Sequence, residues 1–250
     1  MIQIDGLVKT YDGFAAVDGL SLAVHAGEIV GLVGPNGAGK TTTLRCLAGI
    51  IPPTAGTIVV GGCDLKTQPV DARQRLAFVP DEPRLFENLT VWDHLRVIGR
   101  LYGVADTAER GRQLLAGLEL DDRRASFPAE LSRGMKQKLM VALALLHRPT
   151  ALVLDEPLTG LDPGAVRRMK RTIVEQAAGG AAVLVSSHML HLVQENCGRV
   201  VIVQRGRKLL EGTLAEIRAA LPNLPEGADL EEIFLRATEG EGAAETPPGL

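Results

Sequence analysis

Ile29-Val-Gly-Leu-Val33-Gly34-Pro-Asn-Gly-Ala-Gly39-Lys40-Thr41-Thr42 is the stretch that decides how this chain folds. Its middle, Gly34 to Thr41, matches the phosphate-binding pattern G-x-x-x-x-G-K-[ST], and it stands between an apolar strand-like run and a helix-like one. A strand ending in a glycine-rich loop lets backbone N–H groups close around a triphosphate. Gly34, Gly37 and Gly39 supply the dihedrals and the close approach that a Cβ would block. Lys40 adds a mobile positive charge at the β- and γ-phosphates and Thr41 an oxygen for Mg²⁺. The helix beginning near Lys40 adds the positive end of its dipole. The competing reading is an ordinary glycine-rich turn, which the flanking strand and helix disfavour.

Bulk properties narrow the classes around that loop. The 250 residues allow either one large α/β domain or a core with an attached lobe. Charge is nearly balanced, with 27 Lys and Arg against 30 Asp and Glu, and no block of like charge suggests a nucleic-acid footprint. Cys46, Cys63 and Cys197 lie far apart without a C-x-x-C pair, which fits small apolar core residues better than a disulfide framework or a zinc site. Met1-Ile-Gln-Ile-Asp5 lacks the regions of a signal peptide, and the longest uncharged apolar run, Leu139 to Leu146, is well short of the ~20 residues that cross a bilayer. The expectation is a chain made and kept in the cytosol that reaches a membrane only through a partner.

Short apolar runs at Ile2–Ile4, Leu7-Val8, Leu20–Val24 and Thr57–Val60 read as half-buried antiparallel strands. A helix carrying Leu44 and Leu47 ends at Gly49 before Pro52-Pro53, and Leu76–Val79 runs as a strand into Pro80-Asp-Glu-Pro83. From about 83 to 147 only helical patterns occur: Val91–Leu101 behind Thr90, Thr107–Leu118 behind Asp106, and a long stretch behind Ser132. Strands and helices then alternate again through Ala151–Leu154, Pro163–Ala178, Ala182–Val185 and Val200–Val203, as in a parallel sheet covered on both faces. This organisation predicts an α/β core over 1–220 with an all-helical insertion, a helical appendage over 221–237 and a disordered tail over 238–250.

Two acids, Asp155 and Glu156, follow a buried strand, at the sheet edge where α/β folds gather ligands. Neighbouring residues point apart, so Asp155 can hold Mg²⁺ while Glu156 orients and deprotonates a water attacking the γ-phosphate. The alternative is a pair of surface acids. His188 follows another strand to the same edge and is either structural or a γ-phosphate contact. Tyr11 precedes the turn signal Asp12-Gly13 and by itself reads as a core or hairpin aromatic. Leu131-Ser-Arg-Gly-Met-Lys-Gln137 opens a helix with a hydroxyl cap and nearby cations, either a second phosphate site or a plain cap.

These elements, in this order and around a helical insertion, resemble the ATP-binding subunits of the ATP-binding cassette (ABC) transporters over residues 1–220. The resemblance implies a P-loop NTPase core with an N-terminal antiparallel β subdomain. The loop Gly34, Pro35, Asn36, Gly37, Ala38, Gly39, Lys40, Thr41 and Thr42 would be the Walker A site, Asp155 the Walker B acid and Glu156 the catalytic carboxylate. Tyr11 would stack on adenine with Val17 nearby, Leu131–Lys136 would be the signature, Thr159–Asp162 the D-loop and His188 the switch histidine. It further implies two MgATP sandwiched head-to-tail, each between Lys40 of one subunit and Ser132 and Gly134 of another, in a homodimer or with a related ATPase. That dimer would sit at the cytoplasmic face of the membrane and drive a separate permease through the segment Pro80–Leu89.

Two departures from the family pattern stand out. Asp81 replaces the usual Gln, so it is either a charged Mg²⁺ ligand or merely a surface acid. Arg133 and Met135 replace the common Gly and Gln, and Ser-Arg-Gly-Met-Lys-Gln is similar to signatures of ABC-2 type exporters, which points to export. Two other classes fit the phosphate chemistry. A soluble accessory ATPase in iron–sulfur cluster assembly would share the motifs without a permease, and a metabolic P-loop kinase would need neither Ser132 and Gly134 nor His188.

Overall fold

Asp12 and Gly13 both take positive φ, 45° and 85°, the backbone of a tight two-residue hairpin turn. They fold β1 (Ile2–Tyr11) back on β2 (Phe14–Val24). The three short runs expected over 2–24 are thus two long strands. The residues separating those runs sit at irregularities of register, with Gly6 and Gly19 at positive φ, where a bulge absorbs a residue that breaks the alternation. In this computed structural model, which describes residues 1–221, 224–225 and 227–242, β4 (Ala55–Val60) pairs with the other edge of β1 and carries the short β5 (Cys63–Asp64). The result is an antiparallel sheet in the order β2-β1-β4-β5.

The second sheet is built from the continuous apolar runs. Strands β3 (Ile29–Val33), β6 (Leu76–Val79), β7 (Ala151–Asp155), β8 (Ala182–Ser187) and β9 (Arg199–Gln204) are parallel, and β10 (Arg207–Gly212) returns antiparallel along β9. Their order is β10-β9-β3-β8-β7-β6. Parallel neighbours need crossovers, and helices supply them. The crossover helices are α1 (Lys40–Leu47), α2 (Pro69–Gln74), α3 (Val91–Leu101), α4 (Thr107–Gly117), α5 (Arg133–Leu145), α6 (Pro163–Ala178) and α7 (Leu190–Asn196), and α8 (Leu214–Ala220) and α9 (Leu230–Gly242) follow the last strand. Between β6 and β7 the described backbone is helical or irregular throughout.

Four helix starts are written locally. Thr90 accepts from the Asp93 N–H, Ser132 from Met135 and Asp162 from Ala165, and Thr213 and Glu216 cap each other. Asp106 corrects the expected cap. Its carboxylate is drawn away by Arg148, 2.6 Å from it, and makes no cap bond to α4. Helices α2 and α7 and strand β10 were not foreseen; each is short, and its pattern is too brief to separate from a loop. The expected boundary at 238 falls inside α9, because a helix already docked through the buried Leu230 and Ile233 continues its backbone ladder to Gly242. Residues 243–250 lie outside the described residues.

Three apolar clusters hold these layers. One fills the space between the two sheets around Leu44 and Leu47 of α1, and a second joins the helical insertion, through Leu95, Leu115 and Leu139, to the opposite face of the parallel sheet and to α6. The third packs α7, α8 and α9 against β9 and β10. Leu44, Leu95 and Leu139 are fully buried, and burying each such side chain contributes about 1.5–3 kcal/mol. Burial also raises the Cys46 thiol to about 11 and Cys197 to about 12, so both stay protonated as core residues.

Candidate nucleotide site

The loop after β3 has no room for side chains at its tightest points. A Cβ on Gly34 would lie 2.3 Å from the Val203 carbonyl oxygen, and one on Gly39, at φ 98°, would lie 2.4 Å from that of Ala16. Strands β2 and β9 therefore press the loop into a cradle in which the backbone itself faces outward. Lys40, buried, donates from Nζ to the carbonyls of Gly34 (2.6 Å) and Pro35 (3.1 Å). Burial lowers its pKa, while the nearby Glu156 and Asp155 pull it back up. The ammonium is thus held at the start of α1, beside N–H groups that have no helical partner.

The parallel register sets the acids opposite this cradle. Asp155 closes β7 beside Ser186 of β8. The Ser186 hydroxyl donates to Asp155 Oδ1 at 2.6 Å and Thr41 donates to the same oxygen at 3.4 Å. Asp155 is only 2% exposed. Glu156 sits in the left-handed region at φ 50°, a conformation that costs a non-glycine residue of order 1 kcal/mol or more and turns its carboxylate out of the strand direction. Its N–H is shared between the carbonyl and the hydroxyl of Ser186, 3.2 Å from each. Its Oε2 lies 2.9 Å from His188 Nδ1, in contact but without a well-directed hydrogen bond among the described residues.

One cleft joins the loop, Phe14, Asp81, Glu156 and His188, and a second joins Thr41, Asp81 and Asp155 to Arg133 and Lys136. Asn36, Gly37, Ala38, Gly39, Lys40, Thr41 and Thr42 all line the first, and Gly34 and Pro35 lie behind them as the carbonyls that hold Lys40. A hydroxyl with two carboxylates, Thr41 with Asp155 and Asp81, offers oxygen donors of the kind Mg²⁺ takes. Among the described residues no three His, Cys, Asp or Glu side chains converge on one point, which suits an ion held by few protein ligands and by substrate phosphates.

Tyr11 stands at the hairpin tip with Lys9 Nζ 4.9 Å from its ring centroid, and Phe14, across the turn and 66% exposed, lines the first cleft. Val17 is fully buried and packs beneath Gly39, so it supports the loop and shows no surface to a ligand. Strand alternation and the turn decide both, by placing Phe14 and Ala16 on the cleft side. Ser132 and Gly134 line neither cleft. Arg133 between them pairs with Asp81 at 3.3 Å. Ser186 and Phe14 went unnoticed in the sequence. A serine pair closing an otherwise apolar strand was the available signal for Ser186.

Comparison with known proteins agrees with this geometry. The family model described as "ABC transporter" matches residues 17–159. The chain is 32% identical over 247 residues to the ABC-type transporter ATP-binding protein EcsA of Bacillus subtilis (strain 168), covering 98% of this chain and 99% of that one. It is 38% identical over 235 residues to the Nod factor export ATP-binding protein I of Burkholderia lata, covering 93% of this chain and 76% of the relative. A solved ATP-binding subunit of an ABC transporter superposes with a TM-score of 0.90 at 36% identity, covering 95% of this chain and 99% of that one. Phosphate cradle, paired acids, fold and relatives converge: the chain belongs to the ABC transporter family, as one of its ATP-binding, ATP-hydrolysing subunits.

Proposed function

We propose that two copies of this chain, or one copy and a related ATPase, close head-to-tail on two MgATP and that this closure drives a separate membrane permease, in the direction of export. The observation that carries the dimer is the position of Ser132 and Gly134. They sit at the tip of α5, outside both clefts of their own chain, so the phosphate-binding tip can complete only another copy's site. Within each site the loop and Lys40 bind the triphosphate. Thr41, Asp155 and Asp81 hold Mg²⁺, which supplies charge neutralisation at the phosphates when bound. Glu156 orients and deprotonates the attacking water, and His188 holds that carboxylate and reaches toward the γ-phosphate. Phe14, with Tyr11 at the neighbouring tip, offers the apolar face for the base. Ser132→Glu is expected to leave nucleotide affinity within about threefold, since Ser132 is exposed, and to remove ATP-driven dimers by placing a carboxylate against phosphate. An ATP titration of the melting temperature checks the affinity and light scattering with and without MgATP checks the dimer, and loss of binding by the monomer would overturn the assignment.

Export follows from the signature variant and from the name of the Burkholderia relative. The permease is expected in the groove between the insertion and the sheet. This apolar cleft is lined by Phe78, Leu85, Phe86, Val97, Tyr102 and His147, and it includes part of the segment Pro80–Leu89. Phe86 and Val97 are exposed large apolar side chains, and the buried His147 Nδ1 has no hydrogen-bond partner among the described residues, a combination suited to an amphipathic segment carrying one donor. Because no described helix is long and apolar enough to cross a membrane, attachment at the cytoplasmic face would run through this groove. Phe86→Asp is expected to leave ATP binding unchanged and to lower recovery with native membranes by roughly tenfold, the effect of losing one central interface anchor. Fractionation of the native host measures it.

A further inference from the structure

Arg133 is the first residue of α5, and its side chain spans three segments. Its guanidinium lies 3.3 Å from Asp81 Oδ1. Its stem lies against Gly160, where a Cβ would meet Arg133 Cδ and Nε at 3.4 Å. Gly134 sits close to Leu161 in the same way, its Cβ position 3.4 Å from the Leu161 side chain. The tip of α5 is therefore tied to the turn after β6 and to the Thr159–Asp162 segment that leads on from Glu156. Asp81 occupies a second position at the same time, since it lines one cleft with Glu156 and His188 and the other with Thr41 and Asp155.

These two placements compete. A single carboxylate faces both a guanidinium and the oxygen set for a divalent cation. The Arg133–Asp81 pair is half exposed, 57% and 48%, so solvent weakens it. A cation of twice the charge at Thr41 and Asp155 outbids it by simple Coulomb attraction. Arg45, Arg84 and Lys136 line the same cleft. Once Asp81 is engaged elsewhere, their positive charge favours the departure of Arg133.

We propose that Asp81 is a shared acid: it holds Arg133 flat on Gly160 until this chain's own nucleotide brings its divalent cation to Thr41 and Asp155. Asp81 then turns to that cation, and Arg133 is released beside Ser132 and Gly134 to meet the terminal phosphate held by the other copy. Loading one site thereby prepares this chain's contribution to the opposite site. Asp81 acts as a positioning residue for Arg133, and the inference rests on the head-to-tail reading given above.

The test is ATP-driven dimerisation, followed by light scattering in the full chain carrying Glu156→Gln, in Mg²⁺ or in EDTA. Both side chains are half exposed, so the variants should fold, and their melting curves verify this. The parent is expected to need about tenfold more ATP for half-dimerisation in EDTA than in Mg²⁺, an ordinary size for coupling between sites. Asp81→Asn should bring the two conditions within about threefold, because Arg133 is free without a cation, and the pair Asp81→Asn with Arg133→Gln should lose that gain. Unchanged Mg²⁺ dependence in Asp81→Asn would overturn the shared acid. So would an equal gain in the double variant, which would assign the effect to general loss of negative charge. A parent that forms no dimers with MgATP would remove the head-to-tail reading and this inference with it. A parent that dimerises while Asp81→Asn behaves like it removes the inference alone.

Discussion

Glu156→Gln is expected to reduce ATP turnover by about 10³-fold while ATP still binds, within the range for removing a general base. The amide keeps the size of the side chain and the left-handed backbone at φ 50°, and the N–H bonds to Ser186 do not involve the carboxylate. What disappears is the base and its carboxylate contact with His188 at 2.9 Å. Binding survives because the cradle, Lys40 and Asp155 are untouched, so the variant should accumulate as an ATP-loaded dimer in gel filtration. Single-turnover phosphate release measures the chemistry separately from product release. A residual rate within tenfold of the parent would move the base to another residue, with His188 the nearest candidate.

Lys40→Ala is expected to lose ATP affinity by about 10²-fold or more. One buried ammonium bonds the Gly34 and Pro35 carbonyls at 2.6 and 3.1 Å, and a charge-assisted hydrogen bond is worth about 1.5–3 kcal/mol. Alanine removes the charge that phosphates would meet and leaves two carbonyls short of a donor. The readout is thermal. At ~100 times its dissociation constant, ATP should raise the stability of the parent by about 2.7 kcal/mol and shift its melting temperature upward. The same ATP concentration should add no more than about 0.4 kcal/mol to the Lys40 variant. Unaltered affinity in that variant would contradict the cradle and not merely its strength.

Much of this site was legible because its chemistry is local. The loop lies between β3 and α1, the acids close β7, and Ser132 caps the helix it precedes, so each could be read from a few adjacent residues. Lateral placements were not legible. Asp106 has the chemistry of a cap and the position of one, yet Arg148, 42 residues on, takes its carboxylate. Tyr11 and Phe14 flank the same turn, and only the packing of the hairpin beside the loop decides that Phe14 faces the cleft. Val17 is drawn inward by the cluster between the two sheets.

By itself the order of residues determined the strand, loop and helix of the cradle, the helical insertion, and the exit of Asp155, Glu156 and His188 at one sheet edge, since periodicity, caps and turn residues act over a few positions. Tertiary structure alone decided which groups meet across that edge: Ser186 on Asp155 through the β7–β8 register, and Arg133 on Asp81 across 52 residues of chain. Both contacts depend on how strands align and where a helix tip lands. Those outcomes are set by the burial of whole faces, and no short stretch of sequence contains them.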